Sequence, residues 1–403
     1  MSLKRYLLFF CIRLLFILVI ANFYEPRDFE YGEIARNIIA GNGFSKKLIA
    51  DTEPVATSSH PPLYPFFLAF FYKFGNKPGI FFIIQLLQAI ISTITIFLIF
   101  KTACILLDES TARITELFAG FYPPLIYYCT KLVPITIFLF LLALTIYLLL
   151  HSKGKNILYY FITGIVLGLA ILCDPIAFVF YPAIFLWFVF RKITNLFQTM
   201  LIVFISIVVL IPWTIRNYFV HRTLVPITTQ FGVNFWIGNN PNATGTDFYK
   251  IASLEKEEYV LMTHTLPKNI QDSLNKVSEI ERANFYIHQG LSFVKEEPLK
   301  FIFLLFKKFY YYFWFPPSSE YSSKDLERYK WFYYIFYLSV LISGLIGIII
   351  SIRHHRDVLL VLTILSLISG LYIFTHIGLI RYRMPLELYL LMFSAFFIRG
   401  NWR

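Results

Sequence analysis

Charge is what this chain has least of: Asp, Glu, Lys and Arg make up only 15% of 403 residues. A soluble domain carries about a quarter. With 58% hydrophobic residues and a mean hydropathy of +0.64, that scarcity excludes a water-soluble globule and predicts a protein that lies mostly in lipid. Cysteine is sparser still. The four, Cys11, Cys104, Cys129 and Cys173, are scattered in or beside apolar runs, which excludes a disulfide framework and a thiolate metal site and leaves packing as their role. Walker-type phosphate loops, helical zinc-ligand pairs and long low-complexity linkers are missing too. The net charge of +12 comes without any basic module interleaved with aromatics. It is therefore assigned to loops and membrane surfaces, with no nucleic-acid partner.

What the chain has is long apolar runs. About 20 residues cross the hydrocarbon core, and runs of that order lie at 6–23, 79–100, 113–130, 132–150, 157–173, 175–190, 194–214, 331–352, 358–376 and 384–400. They predict an all-α polytopic membrane protein of about ten spans in a single unit, 1–403. The first run follows Lys4 and Arg5 but lacks a small-x-small cleavage site, so it is read as an uncleaved helix. Lys4, Arg5, Lys101, Lys153, Lys155, Arg191, Lys192, Arg353, Arg356, Arg399 and Arg403 then fall on one side, the cytoplasmic one. Two long loops, 24–78 and 215–330, face outward. Residues 301–317, split by Lys307 and Lys308 and rich in aromatics, are read as an interfacial helix with snorkelling lysines rather than an eleventh span.

The first outer loop holds an unusual density of acid: Glu25, Asp28, Glu30 and Glu33, with Arg36. Asp28 precedes FEYGEIARNIIAG, whose apolar stripe and closing Gly41-Asn42-Gly43 predict a short surface helix. Asp28 is either its N-cap or a general base, and the two are compatible. Glu30 and Glu33 share a face, and Glu33 is expected to pair with Arg36 at i+3. Asp28 and Glu30 are the candidate catalytic carboxylates. His60, in SSHPPLYPFF, is either a phosphate-binding residue or a helix cap.

Candidate substrate-binding residues follow in the second loop and the last hairpin. Arg216, after Pro212-Trp213, either grips a lipid phosphate or snorkels to headgroups. Asn239 and Asn240 head a turn-rich stretch suited to positioning a ligand by backbone groups. Arg381, Tyr382 and Arg383 return to the outer face as an anionic-lipid site.

The segments RDFEYGEIARNIIAGNGF, SSHPPLYPFFLAFFYKFG, YPPLIYY, GIVLGLAILCDP, PWTIRNY with GNNPNATG, ERANFYIHQGLSFVKEEPLKF and RYRMPLE occur in this order. Together they resemble the polytopic GT-C glycosyltransferases, the superfamily of protein O-mannosyltransferases and the lipid A aminoarabinose transferase. The resemblance implies a GT-C-like fold with interfacial helices in its outer loops and an outward-facing site. It also implies a polyprenyl-phosphate sugar donor, a catalytic carboxylate in the first loop, and an acceptor that is glycolipid, polysaccharide or protein. It points to a bacterial inner membrane and leaves a divalent metal open, although no acidic cluster with ligand spacing argues for one. Three positions depart from the pattern. Arg27-Asp28 stands for an acidic pair, Ile135 for a Glu, and Asp174-Pro175 for Arg-Pro, which makes Asp174 either a second functional acid or a cap. One displacement at the anomeric carbon would invert configuration. A lipid-linked saccharide transporter and an inactive lipid-sugar-binding homologue are the alternatives.

Overall fold

The computed structural model describes residues 3–47, 53–75, 77–152, 154–191, 196–246, 248–250, 259–261, 266–315, 324–355, 357–375 and 380–400. Lys153, Lys192, Arg356 and Arg403, four of the basic residues used for orientation, lie outside them.

The described residues are mostly helical. α1 (Leu3–Val19) leads to two short helices of the first loop, α2 (Phe29–Ile39) and α3 (Leu63–Tyr72), which flank a two-residue ribbon of β1 (Ser45–Lys46) against β2 (Val55–Ala56). Next come α4 (Pro78–Leu106), α5 (Glu109–Phe121), α6 (Pro123–Tyr128), α7 (Ile135–Leu150) and α8 (Ile157–Cys173). After α8, a 3₁₀ turn (Pro175–Val179) precedes α9 (Phe180–Arg191) and α10 (Leu196–His221). The second loop carries α11 (Gln230–Gly238), a ribbon of β3 (Phe248–Lys250) and β4 (Tyr259–Leu261), α12 (Lys268–Leu274), α13 (Glu279–Glu296) and α14 (Pro298–Phe313). α15 (Lys324–His354), α16 (Val358–Thr375) and α17 (Ile380–Arg399) close the chain.

Each of the ten apolar runs is occupied by helix, and the run at 157–173 coincides with α8. Among the described residues, four helices are long and apolar enough to cross a membrane by length and composition: Pro78–Leu106, Leu196–His221, Tyr333–Arg353 and Val358–Thr375. The run at 113–130 is not one helix. Tyr122 takes an extended conformation before Pro123, as the steric clash of a proline ring with its predecessor demands, and the helix restarts as α6.

α8 and α10 lie against each other along small residues. A Cβ on Gly164 would stand 2.8 Å from the Ile202 carbonyl oxygen, and one on Gly168 3.0 Å from that of Ser206. Two glycines four apart let the backbones approach, the usual device for helices packed in lipid. This contact fixes the ends of α8 and α10, where Asp174 and Arg216 stand.

Buried charge holds the bundle elsewhere. Arg13, fully buried in α1, donates to Ser92 and to the carbonyls of Phe9 and Gly120. Arg5 pairs with Glu116 at 2.9 Å, and Arg399 pairs with Asp108, tying both terminal helices to α5 and the turn before it. Cys129 and Cys173 are buried, Cys104 is half-buried and Cys11 is exposed on α1. Burial thus describes two of the four cysteines.

Candidate active site

Asp28 starts α2 without capping it, because its side chain accepts no bond from the helix N–H groups. The carboxylate instead lies across the first turn. Arg36 Nη1 donates to Oδ2 at 2.5 Å, the Tyr72 hydroxyl donates to the same oxygen at 2.8 Å, and Oδ1 has only a 3.4 Å bond from Arg36 Nη2. Phe29 sits at φ 49° to allow this turn, a left-handed conformation that L-residues avoid and that concentrates at functional sites. The expected Glu33–Arg36 pair is not formed: Glu33 accepts the Lys47 N–H at 2.7 Å, while Arg36 reaches back two turns to Asp28. Glu30 is exposed on the same helix.

The segment around His60 is held from several sides. Arg216 Nη1 donates to the Thr57 carbonyl at 2.7 Å and Nη2 to the Phe44 carbonyl at 2.7 Å, with its guanidinium 4.9 Å from the centre of the Trp213 ring. Glu279, which opens α13, accepts from Thr57 Oγ1, the Ser58 N–H and Thr229 Oγ1. His221 bonds Ser58 Oγ at 2.8 Å. Arg216 is thus neither snorkelling nor poised over a phosphate. Its donors go to the Thr57 and Phe44 carbonyls, Ser58 Oγ and Asn217 Oδ1, and it acts as the staple of the first loop. Glu279 escaped sequence reasoning because Thr57 and Ser58 lie more than 200 residues away and Thr229 lies 50 away.

His60 is buried, with Nδ1 3.0 Å from Ser59 Oγ and its ring edge-on to Tyr31 at 5.0 Å. Burial, with help from Lys46 and Arg381, pushes its pKa down to about 3. The imidazole is therefore neutral near pH 7 and can meet a phosphate only as a neutral hydrogen-bonding group.

Four separate segments converge here. Arg381, at the start of α17, exerts its charge on Tyr31, on His60 and on Asp174. Asp174 accepts the Ile176 N–H at 3.0 Å and the Tyr372 hydroxyl at 3.1 Å. Tyr372 stacks on Tyr382 with ring centres 4.5 Å apart, and Arg381 lies 5.2 Å from the centre of the Tyr382 ring. Tyr31, Asp174, Arg381 and Tyr382 are each partly accessible, whereas Tyr372 is buried. Burial raises the Tyr31 hydroxyl well above its ordinary pKa and keeps it a donor.

The other candidates go elsewhere. Arg383 is 1% exposed and forms a buried ion pair with Glu387; it also donates to the Trp314 carbonyl and the Tyr333 hydroxyl and stands 3.9 Å from the centre of the Tyr337 ring. It is a structural arginine, as its i, i+4 spacing from Glu387 could have signalled. Asn239 and Asn240 are buried with their amides on the carbonyls of Phe235, Phe374 and Trp236. They shape the end of α11 and do not offer side chains to a ligand. Lys308, expected to snorkel, is 1% exposed and donates to Asn239 Oδ1 at 2.9 Å and the Phe374 carbonyl at 3.0 Å. Burial draws its pKa down to about 7. Among the described residues no group of three or more His, Cys, Asp or Glu is placed to hold a metal ion.

Residues 59–215 match the family model of dolichyl-phosphate-mannose-protein mannosyltransferases. The chain is similar in structure to ArnT from Cupriavidus metallidurans bound to undecaprenyl phosphate, with a TM-score of 0.57 and 12% identity over 99% of this chain and 61% of that one. The oligosaccharyltransferase of Archaeoglobus fulgidus, tethered with an acceptor peptide containing an NVT sequon, gives a TM-score of 0.58 and 12% identity over 98% of this chain and 49% of that one. The same archaeal enzyme, AglB, in complex with an inhibitory peptide and a dolichol-phosphate, gives 0.53 and 12% over 98% and 50%. The chain therefore spans about half to three-fifths of the length of these proteins. No curated protein sequence matches it.

Proposed function

We propose that this multi-pass membrane protein, which has the fold of the GT-C glycosyltransferases, moves a sugar from a polyprenyl phosphate to an acceptor at the outer face of a bacterial inner membrane. One observation carries the reading: Arg381, at the start of α17, lies within electrostatic reach of Tyr31 and His60 of the first loop and of Asp174 at the end of α8. That two proteins of this fold hold polyprenyl phosphates supports the donor class, and undecaprenyl phosphate fits a bacterial membrane.

A phosphate-linked sugar already carries a good leaving group, so the site needs a base and a cation. Asp28 takes the proton from an acceptor hydroxyl or amine as that atom bonds to the anomeric carbon. Its Oδ1, with one long bond from Arg36, has the lone pairs to do so. The bond from anomeric carbon to phosphate oxygen breaks with its electron pair, and polyprenyl phosphate departs. Arg381 meets the charge that accumulates there, a preorganised electrostatic role. Glu30, exposed one position before Tyr31, is the second carboxylate of the proposed mechanism. A single displacement inverts the anomeric centre.

The test is transfer from a panel of radiolabelled undecaprenyl-phosphate sugars into native membrane extract, wild type beside Asp28→Asn at matched expression. Loss of product on Asp28→Asn by about 10²–10⁴-fold, the usual worth of a positioned base, with donor binding intact, is the expected result. Wild-type membranes that transfer nothing from any donor would sink the proposal.

A further inference from the structure

Lys308 is a buried amine with no acid beside it. It is 1% exposed on α14, and Nζ meets two neutral acceptors, Asn239 Oδ1 at 2.9 Å and the Phe374 carbonyl at 3.0 Å. The Asn239 amide gives its N–H groups to the carbonyls of Phe235 and Phe374, so only its oxygen is left for Lys308, which must donate twice. A neutral amine has two N–H groups and an ammonium three. Among the described residues no acceptor is in place for a third, and a buried ammonium without a counter-charge is costly. The charges around it do not relieve that cost. On α14, Lys300 pairs with Glu297 at 3.0 Å and Lys307 is exposed. The end of α13 adds exposed Lys295 and Glu296, and α17 adds Arg381 and the Arg383–Glu387 pair. α16 has only Tyr372 to titrate, α15 brings Tyr333, Tyr334 and Tyr337, and α11 brings nothing. Among the described residues none of these forms an ion pair with Lys308, and burial alone draws its pKa down.

What Lys308 holds is the last hairpin. Phe374 lies in the final turn of α16. Four residues on from Lys308, on the same buried face of α14, the Tyr312 hydroxyl bonds Ser369 Oγ at 2.9 Å and the Tyr382 carbonyl at 3.3 Å. The carbonyls of Tyr312 and Trp314 accept from Arg383. One helix thus grips the end of α16 and the start of α17, where Arg381 stands. Its other face is apolar and exposed, with Leu299, Phe303 and Phe306 at 73%, 74% and 69%. An amphipathic helix of this kind stays on a membrane surface when its second face lets go. We propose that α14 is a pH-responsive latch on the last hairpin, closed by the neutral amine of Lys308 and loosened when that amine takes a proton. The proposal stands apart from the transfer reaction above. The pKa of the closed form, about 7, lies below the ordinary 10.5, so between those values the released helix binds the extra proton. Closure is weakest below pH 7 and tightens by about fiftyfold from pH 7 to 9.

The test is thiol exposure on the buried face of α14. Leu304→Cys, at a position 6% exposed in the closed latch, is labelled with iodoacetamide in the detergent-solubilised full chain at pH 7, 8 and 9. Its rate is divided by that of Phe303→Cys, on the exposed face, at the same pH, so that the ionisation of the thiol cancels. Label is read on the α14 peptide by mass spectrometry, apart from the four native cysteines. The latch predicts a ratio that falls about fiftyfold from pH 7 to 9. It also predicts level ratios when the chain carries Lys308→Met, which has no proton to lose, or Lys308→Arg, which keeps its charge throughout. A change of less than about threefold in the chain that keeps Lys308 would overturn the latch whether or not the variants fold. An equal fall in either variant would place the titrating group elsewhere and overturn it too.

Discussion

Gly32 and Asp28 occupy one space: a Cβ on Gly32 would lie 1.7 Å from Asp28 Oδ2. The carboxylate can fold over the first turn of α2, toward Arg36 and Tyr72, only because residue 32 has no side chain. Gly32→Ala should therefore act on the position of the carboxylate rather than on the helix, where alanine gains about 1 kcal/mol over glycine. The expected result is a melting temperature within a few degrees of wild type and transfer lowered by about a hundredfold, the scale of a 1 Å misplacement of a catalytic group. Transfer equal to wild type would mean that Asp28 does not act from its observed position.

Arg381 and Arg383 stand two residues apart and should fail differently. Arg383→Ala leaves Glu387 buried and uncompensated and should cost about 3–5 kcal/mol of stability, read as loss of folded protein after detergent extraction. Arg381→Gln should extract normally and lose about 10²–10³-fold in transfer, the usual worth of one group that meets transition-state charge. A reversed pattern would exchange their roles.

His60 makes the fold sensitive to acid. Its folded pKa of about 3 lies below the ordinary 6.5, so the unfolded chain binds the extra proton. The stability contributed by the neutral imidazole is present in full above pH 6.5 and is lost as pH falls toward 3. His60→Gln should flatten that slope in melting curves between pH 4 and 6.5. If the two slopes coincide, the buried neutral imidazole is not the group responsible.

Arg216→Lys keeps the charge but cannot reach the Phe44 and Thr57 carbonyls together. The first loop should loosen, with proteolysis after Phe44 accelerated and donor KM raised, while α10 stays intact. A variant as protease-resistant as wild type would show that Glu279 and His221 suffice to hold the loop.

Much of the architecture was legible in the residue order. Apolar runs of membrane length are a one-dimensional property, and all ten became helix. The interruption at Tyr122 is passed over in reading 113–130 as one run, although a proline biases the residue before it away from the helical region. The acidic first loop and the basic last hairpin were also readable as the places where charge gathers between apolar runs.

Which of those charges work at the site was not readable. Arg381 and Arg383 look alike in sequence, yet one lies partly accessible beside Tyr382 and the other is spent on Glu387; Arg216 looks like a lipid anchor and staples a loop. Residue order determined this protein's solvent, its helices and the loops in which its polar groups lie, because hydrophobicity and backbone sterics are local. Tertiary structure alone decided which carboxylate faces which cation. Burial and pairing depend on segments hundreds of residues apart, and a charge in low dielectric takes its role from the partner that folding brings to it.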